Sequence, residues 1–175
     1  MDITKIPVGI NPPEEINVII EVPLGGEPVK YELDKASGAM FVDRFLHTSM
    51  RYPCNYGFIP HTLSDDGDPV DVLVAARTSV VPGAIVRARP VGVLLMEDEA
   101  GLDEKLLAVP ANSTHPYYMH VKNYSELPQI LLDQIAHFFQ HYKDLEPDKW
   151  VKIHGWRGVD EAREMIMKGI AAART

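Results

Sequence analysis

Sulfur, positive charge and long apolar runs are all scarce in this sequence, and each scarcity removes a class of protein from consideration. Cys54 is the sole cysteine among 175 residues, so no intrachain disulfide can form and no multi-cysteine metal centre can be built. It reads as a small, half-buried hydrophobe. No stretch approaches the roughly 18 apolar residues of a membrane span. The start, Met1-Asp-Ile-Thr-Lys-Ile-Pro-Val-Gly9, lacks the basic segment and apolar run of a secretory leader. A cytoplasmic protein with no membrane partner is the expectation. Lysine and arginine number 17 against 25 aspartates and glutamates, a formal charge of -8. That sign opposes the field on which nucleic-acid binders rely, while leaving room for a small anion held by local charge or by metal ions. The histidines form no His-Glu-x-x-His pattern. Without repeat, low-complexity tract or linker, residues 1-175 read as a single domain.

What is present is a succession of short β-rich segments followed by helices. Asn17 to Val22 is one run, and after Pro23-Leu24-Gly25-Gly26 comes Val29 to Asp34 with strict alternation, so the two are expected to form a hairpin. Lys30, Glu32 and Asp34 then share one face. Phe41 to Phe45 suggests another strand, whereas the prolines and glycine of Met50 to Pro60 suggest short extended pieces and turns. Asp71 to Ala76, Ile85 to Arg89, Val91 to Met96 and Leu102 to Val109 continue the pattern. Leu131, Ile135, Phe138, Phe139 and Tyr142 then recur at helical spacing, with Ser125 as the candidate N-cap and Pro128 in the first turn. Val159, Ala162, Met165, Ile166 and Ile170 mark a C-terminal helix. The expected class is α+β: a small closed, OB-like antiparallel β-barrel with two main helices packed outside, the last of them C-terminal.

The sharpest chemical signal is Ser64-Asp-Asp-Gly-Asp-Pro-Val-Asp71, which puts four carboxylates into seven residues. Two unit charges about 4 Å apart repel by roughly 4 kcal/mol at an effective dielectric near 20, so carboxylates converging here call for a cation. Oxygen ligands without cysteine favour a hard ion, Mg2+ ahead of Ca2+ where water and phosphate complete the shell. An EF-hand does not fit, because the glycine falls too early and no glutamate closes the loop. A solvated acidic turn is the plain alternative for such a loop taken alone. A second acidic group runs from Glu97 to Lys105, where Asp103 and Lys105 share a face; Lys30 and Glu32 repeat that pairing, and Tyr142-Lys143 adds a hydroxyl and an ammonium at a helix end. Carboxylates for metals interleaved with Lys, Arg and Tyr for phosphate oxygens suit metal-assisted phosphoryl transfer to water.

These residues closely resemble the family I, soluble inorganic pyrophosphatases, especially the short bacterial type, over nearly the whole chain. The family signature stands here as Asp66-Gly67-Asp68-Pro69-Val70-Asp71-Val72. Glu21, Lys30, Glu32, Arg44, Tyr52, Tyr56, Asp98, Asp103, Lys105, Tyr142 and Lys143 fall at the family's other polar positions. The resemblance implies Mg2+-dependent hydrolysis of pyrophosphate to two phosphates by a hydroxide shared between metals, with Asp68 as general base. It implies several Mg2+ ions per site, held by Asp66, Asp71 and Asp103 and, with substrate, by Asp98 and Glu32. Lys30, Arg44, Tyr56, Lys105, Tyr142 and Lys143 would bind pyrophosphate, with Glu21 and Tyr52 supporting them. It further implies a homohexamer, a dimer of trimers, to which the face carrying His137 and His141 would contribute. Trp150 and Trp156 read as packing anchors.

Two other classes are weighed against this. An OB-like nucleic-acid binder requires a basic face with aromatics, where these loops are mostly acidic. A non-catalytic divalent-ion module would leave Arg44, Lys105 and Lys143 without an anion.

Overall fold

The computed structural model describes residues 1-174. Its strands are β1 (Ile16–Val22), β2 (Val29–Asp34), β3 (Ala39–Phe45), β4 (Asn55–Phe58), β5 (Asp71–Val74), β6 (Ile85–Asp98), β7 (Gly101–Leu102), β8 (Lys105–Pro110) and β9 (Val151–Arg157). Its helices are α1 (Gln129–His141) and α2 (Val159–Ala172). Five strands close a ring in the order β1, β4, β5, β8, β6 and back to β1, while β7 and β9 extend it along β6.

The ring departs from the expected antiparallel barrel in one pair: β5 and β8 run parallel, with Val72, Leu73 and Val74 opposite Leu106, Leu107 and Ala108. Parallel neighbours need a crossover, and the long antiparallel β6 supplies it. Alternation then divides the side chains between two cores. Leu73, Leu107 and Val109 join Leu132, Ile135, Phe138 and Phe139 of α1, whereas Val72, Val74, Leu106 and Ala108 join Ala162, Ile166 and Ile170 of α2. With both faces covered, β1 and β8 are buried along their whole length, which is why, apart from Asn17, Glu21 and Lys105, they read as apolar runs rather than as alternating ones.

The expected hairpin between β1 and β2 does not form. Both edges of β1 are taken, by β4 and by β6, and the intervening turn is tied to the next segment instead: Leu24 N donates to Asn55 Oδ1 at 3.0 Å and Gly25 N to Tyr52 O at 2.9 Å. β2 pairs with β3 as a separate two-stranded ribbon. The segment expected as short extended pieces and turns, Met50 to Pro60, contains one such piece, β4, and its glycine is what lets β4 lie against β1. A Cβ on Gly57 would stand 1.9 Å from Ile19 O. The two segments on either side of Pro90 are one strand, β6, with a register shift between Pro90 and Gly92 where the missing N–H is tolerated. β9 was not legible as a strand. α1 begins after Pro128 rather than at Ser125, which sits in a short 3-10 turn whose Glu126 carboxylate accepts from Asn123 N at 2.9 Å. Trp156 stacks on Tyr124, with ring centroids 5.6 Å apart, but Trp150 is exposed and anchors no core. Cys54 is fully buried rather than half-buried, and burial pushes its thiol up to about 12, which leaves it unreactive.

Candidate active site

All fourteen side chains singled out above line one cavity of about 230 Å³. Glu21 comes from β1, Lys30 and Glu32 from β2, Arg44 from β3, and Tyr52 and Tyr56 from β4 and its approach. Asp66 and Asp68 project from the loop that leads into β5, which Asp71 begins. Asp98 ends β6, Asp103 lies between β7 and β8, Lys105 begins β8, and Tyr142 and Lys143 follow α1. Strand ends and one helix end thus converge, where backbone direction changes and polar side chains need not enter a core.

The 64-71 loop is preorganised by its own backbone. Ser64 N donates to Asp68 O at 2.7 Å, Asp68 N donates to Asp66 Oδ1 at 3.0 Å, and Gly67 sits at φ 90°, a conformation that strains any residue with a Cβ. The rest of the site is organised by cations set between carboxylates. Lys105 Nζ lies 2.5 Å from Asp71 Oδ2 and 2.6 Å from Asp103 Oδ1. Burial alone would lower this ammonium's pKa, but the two carboxylates overcome it and raise it above the ordinary lysine value. Lys143 Nζ is 2.7 Å from Asp98 Oδ2, and although burial opposes the effect, that hydrogen bond holds the Asp98 carboxyl below its usual value. Lys30 Nζ is 3.2 Å from Asp43 and 3.8 Å from Glu32.

Beneath these charges is an aromatic wall. The Tyr52 ring lies 5.3 Å from Tyr56 and 4.6 Å from Phe138, which stacks at 5.1 Å on Tyr142. Burial raises the phenols of Tyr52 and Tyr56, so both remain neutral at physiological pH. Tyr56 is therefore available as a hydroxyl donor to an anion.

The donor chemistry suits a hard divalent cation: every candidate ligand is a carboxylate oxygen. Burial lifts the Asp103 carboxyl above its usual value despite its contact with Lys105, the mark of a carboxylate that its protein partners under-compensate. Among the described residues no three such groups yet converge on one point, because Lys105 stands between Asp71 and Asp103. A metal ion bound by these two carboxylates therefore competes with an ammonium for their oxygens.

Glu21 behaves differently. Burial, aided by the charges of Asp71 and Glu32 and opposed by the hydrogen bond from Leu33 N at 2.8 Å, raises its carboxyl from 4.5 to about 7. An acid whose folded pKa lies above its unfolded one favours the fold below pH 4.5 and loses that advantage as pH rises through about 7. Glu21→Gln keeps an oxygen acceptor for Leu33 N without the buried charge. In chelator it is expected to stabilise the protein at pH 8 by about 3 kcal/mol and to flatten the pH dependence between 4.5 and 7. Urea titrations of both proteins at pH 5 and pH 8 measure this; equal stabilities at pH 8 would remove Glu21 as the cause.

The structure adds residues that period-two reading passes over. Between Lys30 and Tyr31 the β2–β3 register shifts, so Asp43 is the extra residue of a bulge. It reaches Lys30, while Arg44, its neighbour, still lines the cavity. Lys35 lies beyond the end of β2, where strand alternation no longer applies, and approaches Asp68 Oδ1 at 3.6 Å. Asp34, on the Lys30 face by alternation, instead accepts from Ser37 in the turn. Glu99 takes Lys149 and stands 3.9 Å from Lys143.

Comparison with known proteins places the chain in a family. Residues 18-174 match the family model described as inorganic pyrophosphatase. The inorganic pyrophosphatase of Rhodospirillum rubrum is 65% identical over 172 residues, spanning 98% of this chain and 96% of the relative. The solved inorganic pyrophosphatase of Helicobacter pylori superposes with a TM-score of 0.94 at 46% identity, covering 98% of this chain and 99% of that one. That of Thermus thermophilus does so at 0.94 and 41% identity over the full length of both.

Proposed function

The chain belongs to the inorganic pyrophosphatase family and is an inorganic diphosphatase; from that premise we propose that it splits pyrophosphate by direct, Mg2+-dependent attack of water, with Asp68 as the general base. The observation that carries this reading is the alternation of cations and carboxylates around one cavity. Carboxylates alone would repel pyrophosphate, and lysines alone would leave water unactivated.

Lys30, Arg44, Lys105 and Lys143 supply positive charge to the phosphate oxygens, Arg44 as a fork and the lysines as point charges, while Tyr56 and Tyr142 donate hydroxyl hydrogen bonds. Mg2+, held by Asp66, Asp71 and Asp103 and joined by further ions at Asp98 and Glu32, would neutralise phosphate charge and lower the pKa of bound water. Asp68 takes the water's proton as its oxygen bonds to phosphorus; the bridging P–O bond breaks, and the second phosphate leaves with that electron pair, stabilised by the surrounding cations. Lys35 steadies Asp68 from across the cavity. Glu21, through Leu33 N, ties the end of β2 to β1, and Tyr52 supports the ring of Tyr56.

The purified chain with Mg2+ is expected to release two phosphates for each pyrophosphate consumed, measured colorimetrically. No phosphate above the uncatalysed background would overturn the proposal. The same reading places the enzyme in the cytoplasm as one domain, acting on a small anion and neither on nucleic acid nor at a membrane; among the described residues no helix is long and apolar enough to cross one. The assembly is read as a homohexamer, with the His137 and His141 rings, 4.6 Å apart, on a contact face.

A further inference from the structure

Arg44 is held by a residue that lies outside both the aspartate loop and the set of fourteen. Glu146 follows α1, in the turn where its own N donates to Lys143 O at 2.9 Å. Its side chain is only 8% exposed, and its Oε1 faces Arg44 Nε at 3.5 Å. Neither atom reaches solvent or makes a hydrogen bond among the described residues, so what joins them is a charge contact. A largely buried carboxylate this near an anion site carries a cost, since its charge repels the substrate and little water screens it. Its pairing with Arg44 offsets that cost and has a directional consequence. Engaging the guanidinium at Nε leaves both Nη groups free, and these offer a pair of parallel donors to a phosphate.

The same stretch of chain is stitched to the exit of β3. Thr48 Oγ1 donates to Tyr142 O at 3.3 Å, and His47 Nδ1 meets Leu145 O at 3.3 Å. Arg44, Tyr142 and Lys143 therefore sit on two segments joined by these hydrogen bonds, and among the described residues Glu146 is the side chain that links them to the guanidinium itself.

We propose that Glu146 is a positioning residue, which aims the Arg44 fork into the cavity and keeps it in register with Tyr142 and Lys143. The inference rests on pyrophosphate being the substrate. It predicts a sign opposite to that of a bystander carboxylate, whose removal would relieve repulsion and lower the KM for pyrophosphate.

The test compares Glu146→Gln, which preserves volume, with Glu146→Ala, each in the unaltered and the Arg44→Ala background. Both single variants are expected to raise KM about tenfold with kcat within a few-fold of the unaltered enzyme, because a binding contact present in ground and transition state alike is loosened. In the Arg44→Ala background the same changes should add little, since no fork remains to be aimed. Calorimetric titration with pyrophosphate should show the same ratios, and melting curves identify any variant that fails to fold; the isosteric Gln variant then decides. A lowered KM, or an increase of equal size with and without Arg44, overturns the proposal. Failure of the unaltered protein to release phosphate would instead strike the pyrophosphate reading.

Discussion

Excess chelator is expected to abolish phosphate release by this protein, and added Mg2+ to restore it. The cause lies in the balance of charge at the cavity. The lysines that could meet pyrophosphate are already engaged: Lys105 by Asp71 and Asp103, Lys143 by Asp98, Lys30 by Asp43. Divalent ions bound by Asp71, Asp98 and Asp103 would free Lys105 and Lys143 for phosphate and, in addition, acidify water. The loss in chelator should be catalytic rather than structural, because Lys105 satisfies Asp71 and Asp103 in the ion's place. Far-ultraviolet circular dichroism should therefore be unchanged, while the melting temperature rises with Mg2+ concentration as mass action requires. Ca2+ should restore little turnover, since its larger and looser shell does not enforce the same arrangement. Undiminished hydrolysis in chelator would exclude a metal-dependent route.

Asp68→Asn is expected to lower kcat by roughly 10² to 10⁴ at neutral pH with the fold intact. The amide keeps the shape of the side chain but removes its ability to accept a proton, along with the charge that Lys35 faces at 3.6 Å. The loop should tolerate the change, because its internal hydrogen bonds use the backbone of Asp68: its carbonyl oxygen accepts from Ser64 N and its own N donates to Asp66 Oδ1. The side chain is well exposed, at 68%, so the substitution creates no buried unpaired group. Asp71→Asn should behave differently. It would strip Lys105 of one carboxylate and weaken Mg2+ binding, so its defect should shrink as Mg2+ is raised, whereas that of Asp68→Asn should not. Steady-state rates across a Mg2+ series separate the two. Full activity in Asp68→Asn would assign the proton to another acceptor.

Local chemistry was legible in the sequence wherever the structure obeys a local rule. The Asp66 to Asp71 loop announced itself because crowding of carboxylates is visible in one dimension, and α2 because its apolar positions keep a helical period. Asp103 and Lys105 could be paired for the same kind of reason: two residues apart, they share a side, and the structure has them in contact at 2.6 Å. Resemblance to a known family then joined positions that no periodicity connects, such as Arg44 and Tyr142.

Other features depend on contacts between segments remote in sequence. A strand's alternation states which residues share a face but not which neighbour its edge will choose, so β1 and β2 looked like a hairpin although β4 and β6 compete for β1 and win both edges. The parallel pairing of β5 with β8 follows from the path of β6 between them, and the bulge that turns Asp43 toward Lys30 from a one-residue mismatch across the ribbon. Glu146 shows the limit most clearly. In the sequence it is one acid among many near a helix end; only folding buries it 3.5 Å from Arg44. The sequence by itself determined which chemical groups the site contains and which of them are local neighbours, because residue type and backbone period are properties of the chain. The tertiary structure decided strand partners, the lysine bridges between distant carboxylates and the orientation of Arg44, because hydrogen bonding and Coulomb attraction act over a few ångströms of space whatever the separation along the chain.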